Sequence, residues 1–239
     1  MFTTEQLTQR WEDQRYIKNL MGKYVNVILL NHEEEIISRF WSQREDLCLG
    51  FNDGYYVGRE AVSGYYDAVE ARNLLVAQTI QKHFPEQLGG MSDEEIYGIG
   101  PFKVKPLYNP VIEIAGDGKT AKALWSCQGA HNEVSTAGPV ANWTWGYFAV
   151  DFIREDSGWK VWHLLYVNDV DCICGQSWGK PQQPYPDLPQ FAALGDFQYP
   201  EYTVSKCVRK LYAPDRPVEL TPEIPVAYST FEETFSYGI

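Results

Sequence analysis

Apolar side chains recur at helical spacing near the start of the chain. Ile17, Leu20, Met21, Tyr24, Val25 and Ile28 fall three or four residues apart and form one continuous stripe. The stripe predicts a helix from Thr4 to about Leu30. Asn31-His32-Glu33-Glu34 then has the form of a helix start, with an acid three residues after the cap. Ile36, Ile37, Phe40 and Trp41 supply the buried face of that short second helix. Asp46 to Val57 reads as a hairpin around Asn52-Asp53-Gly54, where glycine tolerates the left-handed backbone of a tight turn. A third helix is expected from Gly58 to about Leu75. The stretch from Thr79 to Gly100 reads as an insertion of loop and helix, with a capping box at Ser92-Asp93-Glu94-Glu95.

From Phe102 onward the period changes to two. Alternation over 111–115, 121–128, 143–154 and 159–169 predicts four strands, and tight turns at Gly116-Asp117-Gly118 and Glu155-Asp156-Ser157-Gly158 join neighbours. Long strands joined this way make an antiparallel meander. Helices first and sheet afterwards argue for an α+β fold rather than a βαβ one. In the third strand, Trp143, Trp145, Tyr147, Ala149 and Asp151 share one face, with Phe148 and Val150 on the other. In the fourth, His163 is expected on the face of Val161 and Leu165. After about Asp171 the pattern breaks, because residues 181–225 hold nine of the 14 prolines. Proline this dense excludes long helices and central strands. The interleaved aromatics, among them Phe191, Tyr199 and Tyr202, still require burial. Residues 173–239 are therefore expected to form an extended arm, packed on a domain of residues 1–172 or on a second subunit.

Composition narrows the partners. The net charge of −12 is carried with no Lys/Arg cluster to interrupt it, which argues against nucleic acid and anionic membrane surfaces. The five cysteines are irregularly spaced and suggest neither a zinc site nor a disulfide framework. Reduced thiols and the absence of a leader-like or membrane-spanning apolar run point to a cytoplasmic protein. Aromatics make up 15% of the chain, enough to wall a pocket for a small apolar or aromatic organic ligand. No phosphate loop, nucleophile elbow or two-histidine metal motif occurs, so no cofactor and no metal are expected.

The order of these elements resembles the SnoaL-like group of the NTF2-like superfamily. The likeness runs over about residues 10–170. It rests on Ile17 to Tyr24 in the first helix, Phe40-Trp41 in the second, and the helix start Gly58-Arg59-Glu60-Ala61-Val62. It continues in the hairpin Tyr108-Asn109-Pro110-Val111-Ile112-Glu113-Ile114-Ala115-Gly116-Asp117, then in Gly146-Tyr147 with Phe152-Ile153-Arg154 and Gly158-Trp159-Lys160-Val161. The resemblance implies a cone, in which a strongly curved antiparallel sheet wraps the helices and leaves a pocket at one end. The Pro/aromatic arm, where it clasps a second subunit, makes a homodimer or higher homo-oligomer the expected assembly.

The same resemblance implies roles for particular residues. Tyr24 matches a first-helix tyrosine whose hydroxyl enters the pocket and can donate to a developing oxyanion. His163 and His131 lie on the predicted sheet and are candidate proton-transfer groups, with Asn142, Asn168 and Asp169 as candidate partners. Lys105 occupies the strand where related dehydratases carry a histidine. Asp53 lies in the turn where the isomerase branch carries its base. Tyr108, Trp125, Asn142, Trp145 and Tyr147 are the expected pocket wall. Leu29 stands where the family often has an aspartate. The expected function is therefore a cofactor-independent lyase (dehydratase) or isomerase acting on an aromatic, polyketide-like or steroid-like compound. The alternative is a non-catalytic binding or accessory protein.

Overall fold

The computed structural model describes residues 2–219 and 221–239. Helix α1 runs from Thr4 to Leu29 and opens with a capping box, in which Thr3 and Gln6 satisfy each other's backbone N–H groups. Asn31 does not cap the next helix. It takes a left-handed φ of 55°, and a short 3-10 turn at Glu33–Glu35 leads into α2, Ile36–Phe40. The hairpin of β1 (Cys48–Phe51) and β2 (Gly54–Val57) turns at Asn52-Asp53 as expected.

Helix α3 spans Arg59–His83 and so outruns its predicted end by eight residues. Nothing between Leu75 and His83 breaks a helix. Pro85 is the first residue that does, and it starts the short α4, Pro85–Leu88. The capping box at Ser92 opens α5, Asp93–Ile96.

Strands β3 (Phe102–Val104) and β4 (Leu107–Ile114) both pair with one edge of β5, Thr120–Ser135. Then come β6, Gly138–Glu155, and β7, Gly158–Ile173. The β4–β5–β6–β7 meander is antiparallel, as its turns required. The first hairpin joins by parallel pairing of β1 to β7. A short β8, Val204–Ser205, from the arm pairs with β2 and completes the sheet.

The sheet has an inner face packed on the helices and an outer face covered in part by the arm. The inner core joins Ile17, Met21 and Tyr24 of α1 to Val62 and Tyr66 of α3 and to Phe148, Val150 and Phe152 of β6. The outer cluster contains Leu124, Ala149, Leu165 and Val167, sealed by Tyr237, with Val208 and Phe235 packed on it. The arm thus lies against the sheet of its own chain. It is tied there by main-chain bonds: Val208 N–H to the Asn52 carbonyl (2.8 Å) and Gly116 N–H to the Tyr228 carbonyl (2.9 Å).

One irregularity decides which residues face inward. Asp151 pairs with His163 and Phe152 pairs with Val161, so Trp162 is an extra residue in β7. Such a bulge shifts the alternation by one. Val161 is therefore on the inner face, and His163 is on the outer face with Leu165. This corrects the expected shared face for Val161 and His163.

Candidate functional site

A cavity of about 240 Å³ lies between α1, α3 and the inner face of the sheet. Apolar walls come from Ile28, Leu49, Val76, Val134, Phe148 and Leu164. The arm contributes Tyr199, which is exposed at the mouth and stacks on Tyr65 with ring centroids 6.0 Å apart. The cavity shares Phe51, Tyr65, Tyr166 and Tyr199 with a wider outer cleft, and so opens into it.

Two buried tyrosines meet at the inner end. The hydroxyls of Tyr24 and Tyr66 are 2.7 Å apart. Helical spacing places Tyr66, Val69, Asn73 and Val76 on one face of α3, and α1 brings Tyr24 opposite them. Burial pushes the Tyr24 and Tyr66 hydroxyls well above the ordinary phenol range. Both stay protonated at any working pH. One proton is used in the mutual bond, which leaves one free to donate.

The remaining polar groups come from Glu33, Asn73 and the strand edge. Glu33 is buried at 3% exposure and accepts from Lys103 Nζ at 2.5 Å and from Asn73 Nδ2 at 3.4 Å. Lys105 Nζ donates to the Tyr166 hydroxyl at 2.5 Å and lies 3.9 Å from that ring's centroid. His131 lines the cavity beside these lysines, since Lys103 is its ladder partner. Desolvation holds His131 below the usual imidazole range. Asp171 pulls it back up and Lys105 adds to the lowering. A histidine so placed is neutral at neutral pH and can accept a proton.

Of the sequence candidates, Tyr24, Lys105 and His131 line this cavity. His163 and Asp53 do not. His163 Nδ1 is 2.9 Å from Asp151 Oδ2 on the outer face, beneath Phe231. Asp53 sits in the hairpin turn at the rim of the outer cleft. The expected wall also lies elsewhere. Tyr108, Trp145 and Tyr147 line a separate outer-face depression, because the Trp/Tyr-rich side of β6 is the outer one. Trp125 points inward but is consumed by the core, edge-on to Phe152 at 6.3 Å. Asn142 is the ladder partner of His131, and its Nδ2 donates to Asp171 at 2.7 Å. Asn168 and Asp169 touch no histidine; Asp169 is held by Arg209.

Sequence reasoning missed Glu33, Tyr65, Tyr66, Arg72, Asn73 and Lys103 as a group. A signal existed for one of them. Asn73 is a polar residue in the middle of an apolar helical stripe, where burial without a partner is costly. At the surface, His32, Glu34 and Glu35 bring ligand-type atoms within 4.8 Å of one another. His32 is paired with Glu34 and Glu35 with Arg39. All five cysteines are free. Among the described residues no helix is long and apolar enough to cross a membrane.

No family model matches the sequence, and no curated protein matches it either. Several solved structures are similar in shape. One is an NTF2-like protein with a cystatin-like fold from Novosphingobium aromaticivorans, at 16% identity and TM-score 0.41, covering 82% of this chain and 99% of that one. Another is a hexachlorocyclohexane dehydrochlorinase of LinA type 3 from Novosphingobium barchaimii, at 13% identity and TM-score 0.48, covering 72% and 97%. A third, a provisional scytalone dehydratase from Novosphingobium aromaticivorans, has 15% identity and TM-score 0.46 over 75% and 96%. The α+β chain is thus similar to proteins of NTF2-like, cystatin-like architecture, at a distance that leaves its chemistry to be read from its own residues.

Proposed function

We propose that the cavity catalyses cofactor-independent proton transfer on a small organic molecule, as a lyase or an isomerase does. The observation that supports this most is the pairing of a neutral, desolvated His131 with a buried Tyr24–Tyr66 hydroxyl pair in one apolar hollow. His131 takes a proton from carbon next to a carbonyl. The C–H electron pair moves onto the carbonyl oxygen, and the free tyrosine proton stabilises the enolate that forms. Return of the proton at another carbon completes an isomerisation. Loss of a neighbouring leaving group completes an elimination. A volume of about 240 Å³ lies below the roughly 300 Å³ at which drug-sized pockets begin. That favours mono- or bicyclic compounds over a steroid-sized one.

The test is hydrogen–deuterium exchange at the α-carbon of indanone and tetralone in deuterated water, followed by NMR. Wild-type protein is expected to accelerate exchange, and His131→Gln to lower that rate about 100-fold or more. Exchange no faster than in buffer, with the ketones still bound, would leave a non-catalytic binding protein as the reading.

A further inference from the structure

The cavity carries more positive charge than its own carboxylates match. Lys103 is neutralised by Glu33 at 2.5 Å. Lys105 has no carboxylate partner within the described residues, for its contacts are the hydroxyl and ring of Tyr166. An ammonium group has three donors, and the Tyr166 bond uses one. Arg72 also lines the cavity without a carboxylate partner. Its Nη2 donates to the Val134 carbonyl at 2.7 Å, and its Nη1 is buried with no hydrogen-bond partner among the described residues. The other carboxylate in the lining, Glu133, is exposed at the rim. Two carboxylates act on His131, Asp171 more strongly than Glu133; Asp171 is held by Asn142 and lines the outer cleft rather than the cavity. All this occurs in a chain whose net charge is −12. Unmatched cations facing an apolar hollow are costly unless an occupant supplies the counter-charge.

We infer that the occupant is a small organic anion, an aromatic or short aliphatic carboxylate, whose carboxylate is received by Lys105 with Arg72 completing the charge balance. The apolar part of such a molecule would lie against Phe148, Leu164 and the tyrosines. This inference takes the cavity of the proposed function as its site and adds the charge of what fills it. It does not depend on turnover.

The experiment compares benzoate and phenylacetate with their uncharged carboxamides by isothermal titration calorimetry on the full chain at neutral pH. Each acid is expected to bind at least 10-fold more tightly than its amide. Lys105→Met should remove most of that preference, weakening the acid far more than the amide. Lys105→Arg, which keeps the charge, should retain it, and guards against a variant that has merely lost its fold. Equal binding of acid and amide, a preference unchanged in Lys105→Met, or no binding of any probe would each overturn the inference. Failure of ketone exchange with the acid preference intact would count against catalysis alone. Exchange activity without acid preference would count against the anion alone.

Discussion

The two faces of the sheet use the same residue types to opposite ends. On the outer face, Lys122 Nζ lies 2.6 Å from Asp151 Oδ1, both at 0% exposure. His163 Nδ1 and the Tyr237 N–H both reach Asp151 Oδ2, at 2.9 and 2.8 Å. The rings of Phe231 and Phe235 each lie 4.6 Å from the lysine nitrogen. Ser236 also approaches the same imidazole nitrogen, at 3.1 Å. A serine–histidine–aspartate relay needs opposite ring nitrogens for its two partners, so this cluster is no nucleophilic site. On the inner face, lysines, a histidine, a glutamate and tyrosines also meet, but around empty volume and with cations to spare. Ionic groups that are matched and packed hold structure together. Ionic groups that are unmatched around a hollow are available for chemistry.

The sharpest way to break this contrast is Asp151→Asn. It leaves Lys122 buried without its anion, and should cost about 3–5 kcal/mol in denaturant unfolding. A loss below about 1 kcal/mol would show that the outer cluster is not what closes the arm onto the sheet. Next comes Tyr24→Phe, which removes half of the hydroxyl pair. Ketone exchange should slow by about 10²–10³, the usual effect of losing an oxyanion donor. Stability should fall by only about 1–3 kcal/mol. An unchanged exchange rate would remove Tyr24 from the proposed chemistry.

The pH profile gives a smaller and more specific effect. His131 is held below its ordinary value of 6.5 in the folded chain. The unfolded chain therefore binds the proton first as pH falls. The linked stability is complete above about 6.5 and is lost as the pH drops through the lower folded value. The acid limb of exchange per free protein should likewise lie below pH 6.5, and should disappear in His131→Gln. A limb above that value would assign the proton to another group. Asp53→Ser should do least. The residue is exposed, and among the described residues no side-chain hydrogen bond or ion pair involves it. Stability should stay within about 0.5 kcal/mol and exchange should be unchanged. A large loss of exchange would move the chemistry to the outer cleft.

Much of the fold was legible because it rests on short-range rules. The stripe from Ile17 to Ile28 set α1, the Asn52-Asp53-Gly54 turn set the first hairpin, and alternation with tight turns set the meander. The site was less legible, for physical reasons. Alternation along β6 separates two faces but does not say which is inner. The Trp- and Tyr-rich side reads as a pocket wall and is instead the outer face, where Trp143 is exposed and Trp145 and Tyr147 line a separate depression. The Trp162 bulge leaves no mark in the composition of β7, so His163 could not be placed by counting. Lys105 and His131 share the cavity only because β3 and β5 pair, and Tyr24 meets Tyr66 across 42 positions of sequence. The prolines of the arm announced an extended segment, but nothing local specified that its end would lie on Asp151.

The extra residue at Trp162 also bears on how distant relatives can be compared. A strand of the same residues without the bulge would, beyond this point, present to its interior what this one presents to its exterior. Two such chains, aligned without a gap, would match residue for residue and yet equip their hollows with different side chains. Kinship in this architecture is therefore better judged by the pairing register of the last long strand than by the identity of any histidine on it.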